Sequence, residues 1–152
     1  WGRDGSTAKA KAAGFEVAPS REAFFAESDV ISIHLPLNDG TRGIVKLEDL
    51  ARMKPTALIV NTSRAPIIAK DALVTALKAG RPGRAAIDVY EEEPVINANH
   101  PLIGMDNVVC TPHLGYVEER TYDSYYGTAV DQILAFIAGA PINVANPEVL
   151  KK

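Results

Sequence analysis

Three polar residues that can carry out acid–base and anion chemistry each follow an apolar segment of strand length. They are Arg64 after residues 57–62, one glutamate of the run 91–93 after residues 85–90, and His113 after residues 107–111. A guanidinium group binds a carboxylate through two parallel hydrogen bonds, and a histidine exchanges a hydroxyl proton near neutral pH. A glutamate beside the histidine favours the imidazolium and orients the ring. This combination fits oxidation or reduction of a carbon next to a carboxylate, and the hydride requires a cofactor because no side chain carries one.

Each of these residues also has a simpler interpretation. An arginine after a strand is often a surface or structural ion pair, the acidic run 91–93 is typical of a solvated loop, and His113 could be a loop histidine with satisfied hydrogen bonds. Asp88 lies inside an apolar segment, where a charge needs a reason, so it either caps a neighbouring backbone or faces the cofactor. His34 and His100, in a strand pattern and a loop, are weaker candidates.

Alternating strand and helix patterns indicate how these residues are brought together. The predicted strands cover residues 15–17, 30–37, 57–62, 85–90 and 107–111, and the predicted helices cover residues 6–13, 21–27, 47–53, a segment from Asp71 to Gly80, and 117–137. The longer strands are apolar on both faces, which predicts an α/β protein with a parallel sheet covered on both sides. Because the carboxyl ends of parallel strands share one edge of the sheet, Arg64, Glu93 and His113 should meet there.

The composition excludes several classes of protein. The chain has 152 residues, enough for one domain with a core, and its 47% hydrophobic and 23% charged residues are typical of a globular protein. A net charge of −3 without a basic cluster argues against nucleic-acid binding. A single cysteine, Cys110, suits a reducing compartment, so we expect a cytoplasmic protein. No apolar run reaches the length of a membrane span, and we predict no metal site.

Taken together, the segments resemble the D-isomer-specific 2-hydroxyacid dehydrogenase family. The matching motifs are Asn61-Thr62-Ser63-Arg64, residues 86–90 followed by Glu93-Pro94, and Thr111-Pro112-His113-Leu114-Gly115, with residues 29–37 and 53–55 also fitting. The resemblance implies a Rossmann-like doubly wound parallel sheet, truncated at the N-terminus. It also implies an NAD- or NADP-dependent oxidoreductase that acts on a small D-2-hydroxy or 2-keto acid, as a homodimer in its full-length form.

The resemblance also assigns roles to individual residues. Arg64 resembles the substrate-binding arginine, His113 the acid/base, and Glu93, immediately before the proline, the partner of the histidine. The implied cofactor contacts are Leu35, Pro36, Thr62, Ser63, Arg64, Asp88, His113 and Gly115. Arg3, near the end of an expected second strand, could favour the 2′-phosphate of NADP, whereas the neighbouring Asp4 keeps NAD open.

The chain departs from the family pattern in lacking the glycine-rich phosphate loop, G-x-G-x-x-G. We expect that loop before Trp1 and a substrate domain further upstream, so that the chain is about the C-terminal half of the enzyme and binds dinucleotide poorly by itself. Residues 1–115 would then form a partial dinucleotide-binding domain, and residues 116–152 a helix and tail that return toward the substrate domain.

Several functions remain open at this point. Phosphoglycerate, glyoxylate, hydroxypyruvate and lactate all suit the same three residues. A dinucleotide-sensing corepressor of the same family is an alternative from a different class, and a nucleotide-binding domain without catalysis is another.

Overall fold

The computed structural model describes residues 1–2 and 4–150, so Arg3, a predicted cofactor contact, lies outside the described residues. A four-stranded parallel sheet is formed by β1 (Val30–Ile33), β2 (Leu58–Asn61), β3 (Arg84–Ile87) and β4 (Val108–Cys110), in that order. The helices are α1 (Asp4–Ala12), α2 (Arg21–Glu27), α3 (Leu47–Arg52), α4 (Ala72–Lys78) and α5 (Glu119–Ile137). Short 3₁₀ turns lie at Ala65–Ile67, Ile96–Ala98 and Pro147–Leu150. The predicted Rossmann-like α/β fold is confirmed.

Local signals explain where α1 and α2 begin and end. Helix α2 has the predicted bounds because the Ser20 hydroxyl accepts the Ala23 N–H at 3.1 Å. Helix α1 ends at Ala12, just before Gly14, which adopts the left-handed conformation with φ +82°. The strand predicted at residues 15–17 is wrong. The Phe15 N–H caps α1 by donating to the Ala10 carbonyl at 2.9 Å, so it is not available to pair with another strand.

The main core lies between one face of the sheet and helices α2, α3 and α4. Its members are buried apolar side chains, among them Phe25, Ile31, Ile33, Leu50, Met53, Ile59, Leu73, Leu77, Ala85 and Ile87. On the opposite face of the sheet, Val30 and Val109 remain 60% and 66% exposed. The predicted covering of both faces is therefore incomplete in the described residues, although the strands carry apolar side chains on both.

An ion pair connects α2 to α3. The Arg21 guanidinium donates to both carboxylate oxygens of Asp49, at 2.8 and 2.5 Å, and its charge lies 5.1 Å from the centre of the Trp1 ring. Asp49 also accepts the Lys46 N–H at 2.7 Å. Burial alone would raise the pKa of Asp49, but the hydrogen bonds from Arg21 and Lys46 outweigh it and hold the pKa below its usual range.

The chain divides into two compact units, residues 1–113 and 114–152. The second unit contains α5, whose tyrosines at 122, 125 and 126 have helical spacing and are exposed, with the tilted rings of Tyr122 and Tyr126 centred 5.3 Å apart. Among the described helices, none has both the length and the apolar composition needed to cross a membrane.

Candidate active site

The carboxyl ends of all four strands lie along one edge of the sheet, and hydrogen bonds connect the loops that follow them. The Ser63 hydroxyl, after β2, donates to the Leu35 carbonyl, after β1, at 2.5 Å. The Asp88 N–H, after β3, donates to the Asn61 carbonyl at 3.0 Å, and the Thr111 N–H, after β4, donates to the Ile87 carbonyl at 2.9 Å. The sheet therefore presents these loops side by side, as its parallel topology requires.

Asn61 shapes the loop that carries Arg64. Its side chain is buried at the end of β2, where it accepts the Ser63 N–H at 3.0 Å and donates to the Arg64 carbonyl at 3.1 Å. The chain turns after Asn61, and the Arg64 side chain is exposed, with one guanidinium nitrogen donating to the Ser63 carbonyl at 2.6 Å. Sequence reasoning did not assign a role to Asn61, although a polar residue at the end of an apolar segment was a signal for one.

Glu93 and His113 form a direct pair. The Nδ1 atom of His113 lies 2.6 Å from Oε2 of Glu93, and the other carboxylate oxygen accepts the Tyr90 N–H at 2.8 Å. Burial would raise the pKa of Glu93, but the hydrogen bonds from His113 and Tyr90 and the positive charges of His113 and Arg64 hold it below its usual range. Arg64 is close enough to contribute to this lowering of the pKa, and its place in one site with Glu93 and His113 stays a prediction.

The carboxylate of Glu93, which is ionised at neutral pH, assigns the tautomer of the histidine. An ionised carboxylate can only accept hydrogen bonds, so the proton of the 2.6 Å contact belongs to Nδ1 of His113. Exchange of a proton with a substrate then falls to Nε2, in the neutral ring as an acceptor and in the imidazolium as a donor.

The backbone of His113 is held in a sparsely populated conformation. Its φ is +56°, in the left-handed region that a non-glycine residue adopts only when its surroundings impose it. Its N–H donates to the Thr111 carbonyl at 3.1 Å. The ring lines a cavity of about 370 Å³ together with Tyr90, Glu93 and Cys110.

Asp88 connects β3 to β4. Its carboxylate is only 4% exposed and accepts the Thr111 hydroxyl at 2.6 Å. One partner of this buried charge is therefore a side-chain hydroxyl from the loop after β4, whereas the sequence predicts a backbone cap or a cofactor contact. The predicted role of Asp88 toward a cofactor stays a prediction.

The three consecutive glutamates, residues 91–93, differ in the contacts that they make. Glu91 pairs with Nε2 of His100 at 3.0 Å, Glu93 pairs with His113, and the Glu92 side chain is exposed. The Glu91–His100 pair borders a second cavity of about 600 Å³ beside α4. His100 and His113 therefore belong to different contact networks, and only the network of His113 involves residues of the predicted site.

The remaining predicted contacts are spread along the edge or fall outside it. Leu35 and Pro36 follow β1, half-buried and exposed respectively, and Thr62 follows β2 and is exposed. Gly115 belongs to the second unit. Their contacts with a cofactor stay predictions, as does that of Arg3.

The polar groups at this edge of the sheet suit the nicotinamide end of a dinucleotide. The Asp88 carboxylate and the polar groups of Thr62 and Ser63 provide acceptors and donors for a nicotinamide carboxamide. A pyrophosphate needs the backbone N–H groups of a glycine-rich loop, and no G-x-G-x-x-G motif occurs in the sequence. Within the part of the chain that the structure describes, no cluster of three or more histidine, cysteine or acidic side chains could hold a metal ion.

Comparisons with known proteins give the family and the fold that this chain resembles. The family model described as D-isomer specific 2-hydroxyacid dehydrogenase, NAD binding domain, matches residues 1–115. A glyoxylate reductase from Aeropyrum pernix is 44% identical over 133 residues, which cover 87% of this chain and 39% of that protein. Nothing in the comparisons supports the corepressor alternative.

Two solved structures resemble the chain over most of its length. A Ralstonia solanacearum oxidoreductase, provisionally named D-3-phosphoglycerate dehydrogenase, is 53% identical with a TM-score of 0.90, covering 99% of this chain and 44% of that one. A phosphoglycerate oxidoreductase from Vibrio cholerae is 46% identical with a TM-score of 0.84, covering 92% of this chain and 44% of that one. The chain spans less than half the length of these relatives.

Proposed function

The chain belongs to the D-isomer-specific 2-hydroxyacid dehydrogenase family, and from this premise we propose that it carries the acid–base and carboxylate-binding residues of an NAD(P)-dependent oxidoreductase. The substrate would be a small D-2-hydroxy acid or the corresponding 2-keto acid. The observation that supports this most strongly is the 2.6 Å contact between His113 and Glu93, within electrostatic range of Arg64. A surface ion pair or a solvated acidic loop would not require this arrangement.

Each of the three residues has a separate task in the proposed reaction. Arg64 binds the substrate carboxylate and holds the adjacent carbonyl at the sheet edge. His113 gives a proton from Nε2 to the carbonyl oxygen during reduction and accepts it from the hydroxyl during oxidation. Glu93 keeps the Nδ1 proton in place and stabilises the imidazolium.

NAD or NADP supplies or accepts the hydride when it is bound. The residues proposed to hold it are Leu35, Pro36, Thr62, Ser63, Arg64, Asp88, His113 and Gly115, with Arg3 favouring the 2′-phosphate of NADP. Thr62, Ser63 and Asp88 provide the polar groups that a carboxamide needs.

The substrate, the assembly and the compartment are proposed on different grounds. Glyoxylate and hydroxypyruvate are proposed as substrates because similar curated proteins carry the names of their reductases. Phosphoglycerate is proposed because the similar solved structures carry its name. A homodimer follows from the family resemblance, and a cytoplasmic location is supported by the single cysteine.

The decisive test is turnover by the intact protein and by its His113→Asn variant. Oxidation of NADH and NADPH is measured with glyoxylate, hydroxypyruvate, 3-phosphohydroxypyruvate and pyruvate. Replacing the acid/base should lower kcat about 10²- to 10⁴-fold on the preferred acid. The matched control is His34→Asn, which removes an exposed histidine after β1 and should keep wild-type turnover. Near-wild-type activity of His113→Asn would remove His113 from the mechanism.

A further inference from the structure

The geometry points to Tyr90 as the positioning residue of the Glu93–His113 pair, an inference that rests on the function proposed above. Tyr90 follows β3 and does not reach the pair with its own polar side-chain atom. Its backbone N–H donates to Glu93. Its phenol donates to the Thr111 carbonyl, which also accepts the His113 N–H. Neither the sequence motifs nor the resemblance assigned it a role.

Four hydrogen bonds form a closed ring through this residue. The Tyr90 N–H donates to Glu93 at 2.8 Å, and Glu93 accepts from the ring of His113 at 2.6 Å. The His113 N–H donates to the Thr111 carbonyl at 3.1 Å, and the Tyr90 hydroxyl donates to the same carbonyl at 3.0 Å. Because the ring is closed, a shift of the Tyr90 phenol changes the support of both members of the pair.

The hydroxyl group, as well as the aromatic ring, is needed for this arrangement. Tyr90 is 8% exposed, and burial, followed by the neighbouring Cys110, raises the pKa of its phenol, so the group remains a protonated donor at neutral pH. The carbonyl that it contacts also anchors His113, whose φ of +56° persists only if surrounding contacts impose it. A phenylalanine at position 90 would fill the same space but would leave the Thr111 carbonyl without the hydrogen bond from the phenol.

A neighbouring ring also contacts the Tyr90 phenol. The His100 ring packs against Tyr90 edge-on, with the ring centres 5.1 Å apart. Nε2 of His100 lies 3.0 Å from Glu91, and its Nδ1 accepts the Leu102 N–H at 3.3 Å. The Glu91–His100 pair is therefore connected to the Glu93–His113 pair through the Tyr90 ring.

The first experiment is steady-state kinetics of the intact Tyr90→Phe variant. We expect kcat to fall about 3- to 10-fold, as for loss of one buried neutral hydrogen bond. The KM values for the keto acid and the reduced coenzyme should stay within about twofold, because Tyr90 is not placed to touch either. Tyr125→Phe removes the same hydroxyl from an exposed position on α5 and should behave as wild type.

The second experiment does not depend on turnover. The nitrogen NMR chemical shifts of the His113 ring, assigned from their loss in His113→Asn, report which nitrogen carries the proton. The wild-type protein should show the Nδ1–H form, and Tyr90→Phe should move the shifts toward those of a ring without the carboxylate contact because the Nδ1–Glu93 contact is weakened, whereas Tyr125→Phe should not change the shifts.

The outcomes separate this inference from the proposed function. If wild-type protein turns over a keto acid, unchanged kcat or unchanged ring shifts in Tyr90→Phe would overturn the inference. A loss of kcat accompanied by raised KM values and a lowered thermal midpoint would also overturn it, because a general structural role would be sufficient. If wild-type protein turns over none of the acids, the proposed function fails, and the ring shifts alone decide whether Tyr90 positions the pair.

Discussion

Replacing Glu93 by glutamine removes one charge and one acceptor from a site that uses both. The carboxylate accepts the Tyr90 N–H through Oε1 and the His113 ring proton through Oε2, at 2.8 and 2.6 Å. A carboxamide has a single acceptor oxygen and presents an NH₂ group on the other side. If the oxygen stays with Tyr90, the NH₂ faces Nδ1 and favours the tautomer that is protonated at Nε2. If the oxygen stays with His113, the Tyr90 N–H loses its partner.

The size of the effect follows from the exposure of the pair. A hydrogen bond to a charged group contributes about 1.5–3 kcal/mol, and water screens this pair because its side chains are 34% and 33% exposed. The lower part of that range, about 1.5–2 kcal/mol, corresponds to a loss of about 10- to 30-fold in kcat/KM. Because a variant enzyme cannot change the equilibrium constant of the reaction, kcat/KM should fall by about the same factor for reduction of the keto acid and for oxidation of the hydroxy acid.

The assay compares initial rates of keto acid reduction and hydroxy acid oxidation for the intact wild-type, Glu93→Gln and Glu92→Gln proteins. Glu92→Gln makes the same chemical change at the preceding exposed residue and should leave both directions unchanged. The reasoning would be refuted if Glu93→Gln retained wild-type rates in both directions, or if Glu92→Gln lost as much activity as Glu93→Gln.

Three further predictions concern other parts of the chain. Arg64→Ala should raise the KM for the keto acid about 10- to 100-fold with a smaller effect on the coenzyme, since a bidentate contact to the carboxylate is lost; unchanged KM and kcat would exclude the role. Asp49 has a folded-state pKa below its unfolded value of about 3.9, so its stabilising effect is present above that pH and disappears as the pH falls through the folded value. Thermal midpoints of Asp49→Asn and wild-type protein should therefore differ at neutral pH and converge in acid, and a constant difference would contradict this. Gly83→Ala should destabilise the protein by about 1–3 kcal/mol or more in urea unfolding, because its Cβ would lie 1.8 Å from the Pro55 carbonyl oxygen. Gly127→Ala places a methyl where nothing lies within 4 Å and should not destabilise.

The parts of the fold that depend on local chemistry were predictable from the sequence. Helix α2 has the predicted bounds because its cap, Ser20, acts within three residues of chain. The common edge of Arg64, Glu93 and His113 followed from the apolar strands before them, since parallel strands all end at the same side.

The parts of the fold that depend on residues distant in the sequence were harder to predict. Residues 15–17 have the composition of a short strand, but strand formation requires a neighbour for hydrogen bonding, and the Phe15 N–H is already used by the end of α1. The tyrosines of α5 have helical spacing, which identifies an apolar face without identifying what it packs against. Periodicity therefore predicted the elements better than it predicted their burial.

The choice among the three consecutive glutamates shows most clearly where composition stops being informative. All three side chains have the same chemistry, and only the resemblance to a family singled out Glu93 from the sequence. In the structure the choice has a physical cause. The chain after β3 directs Glu91 toward His100 and Glu93 toward His113, and the backbone N–H of Tyr90 holds the second carboxylate in place. That selection depends on a main-chain donor and on a left-handed histidine, and neither of these is visible in residue types. The acid–base pair is therefore defined by the paths of two loops, and variants that leave both glutamate and histidine intact, such as Tyr90→Phe, should still weaken it.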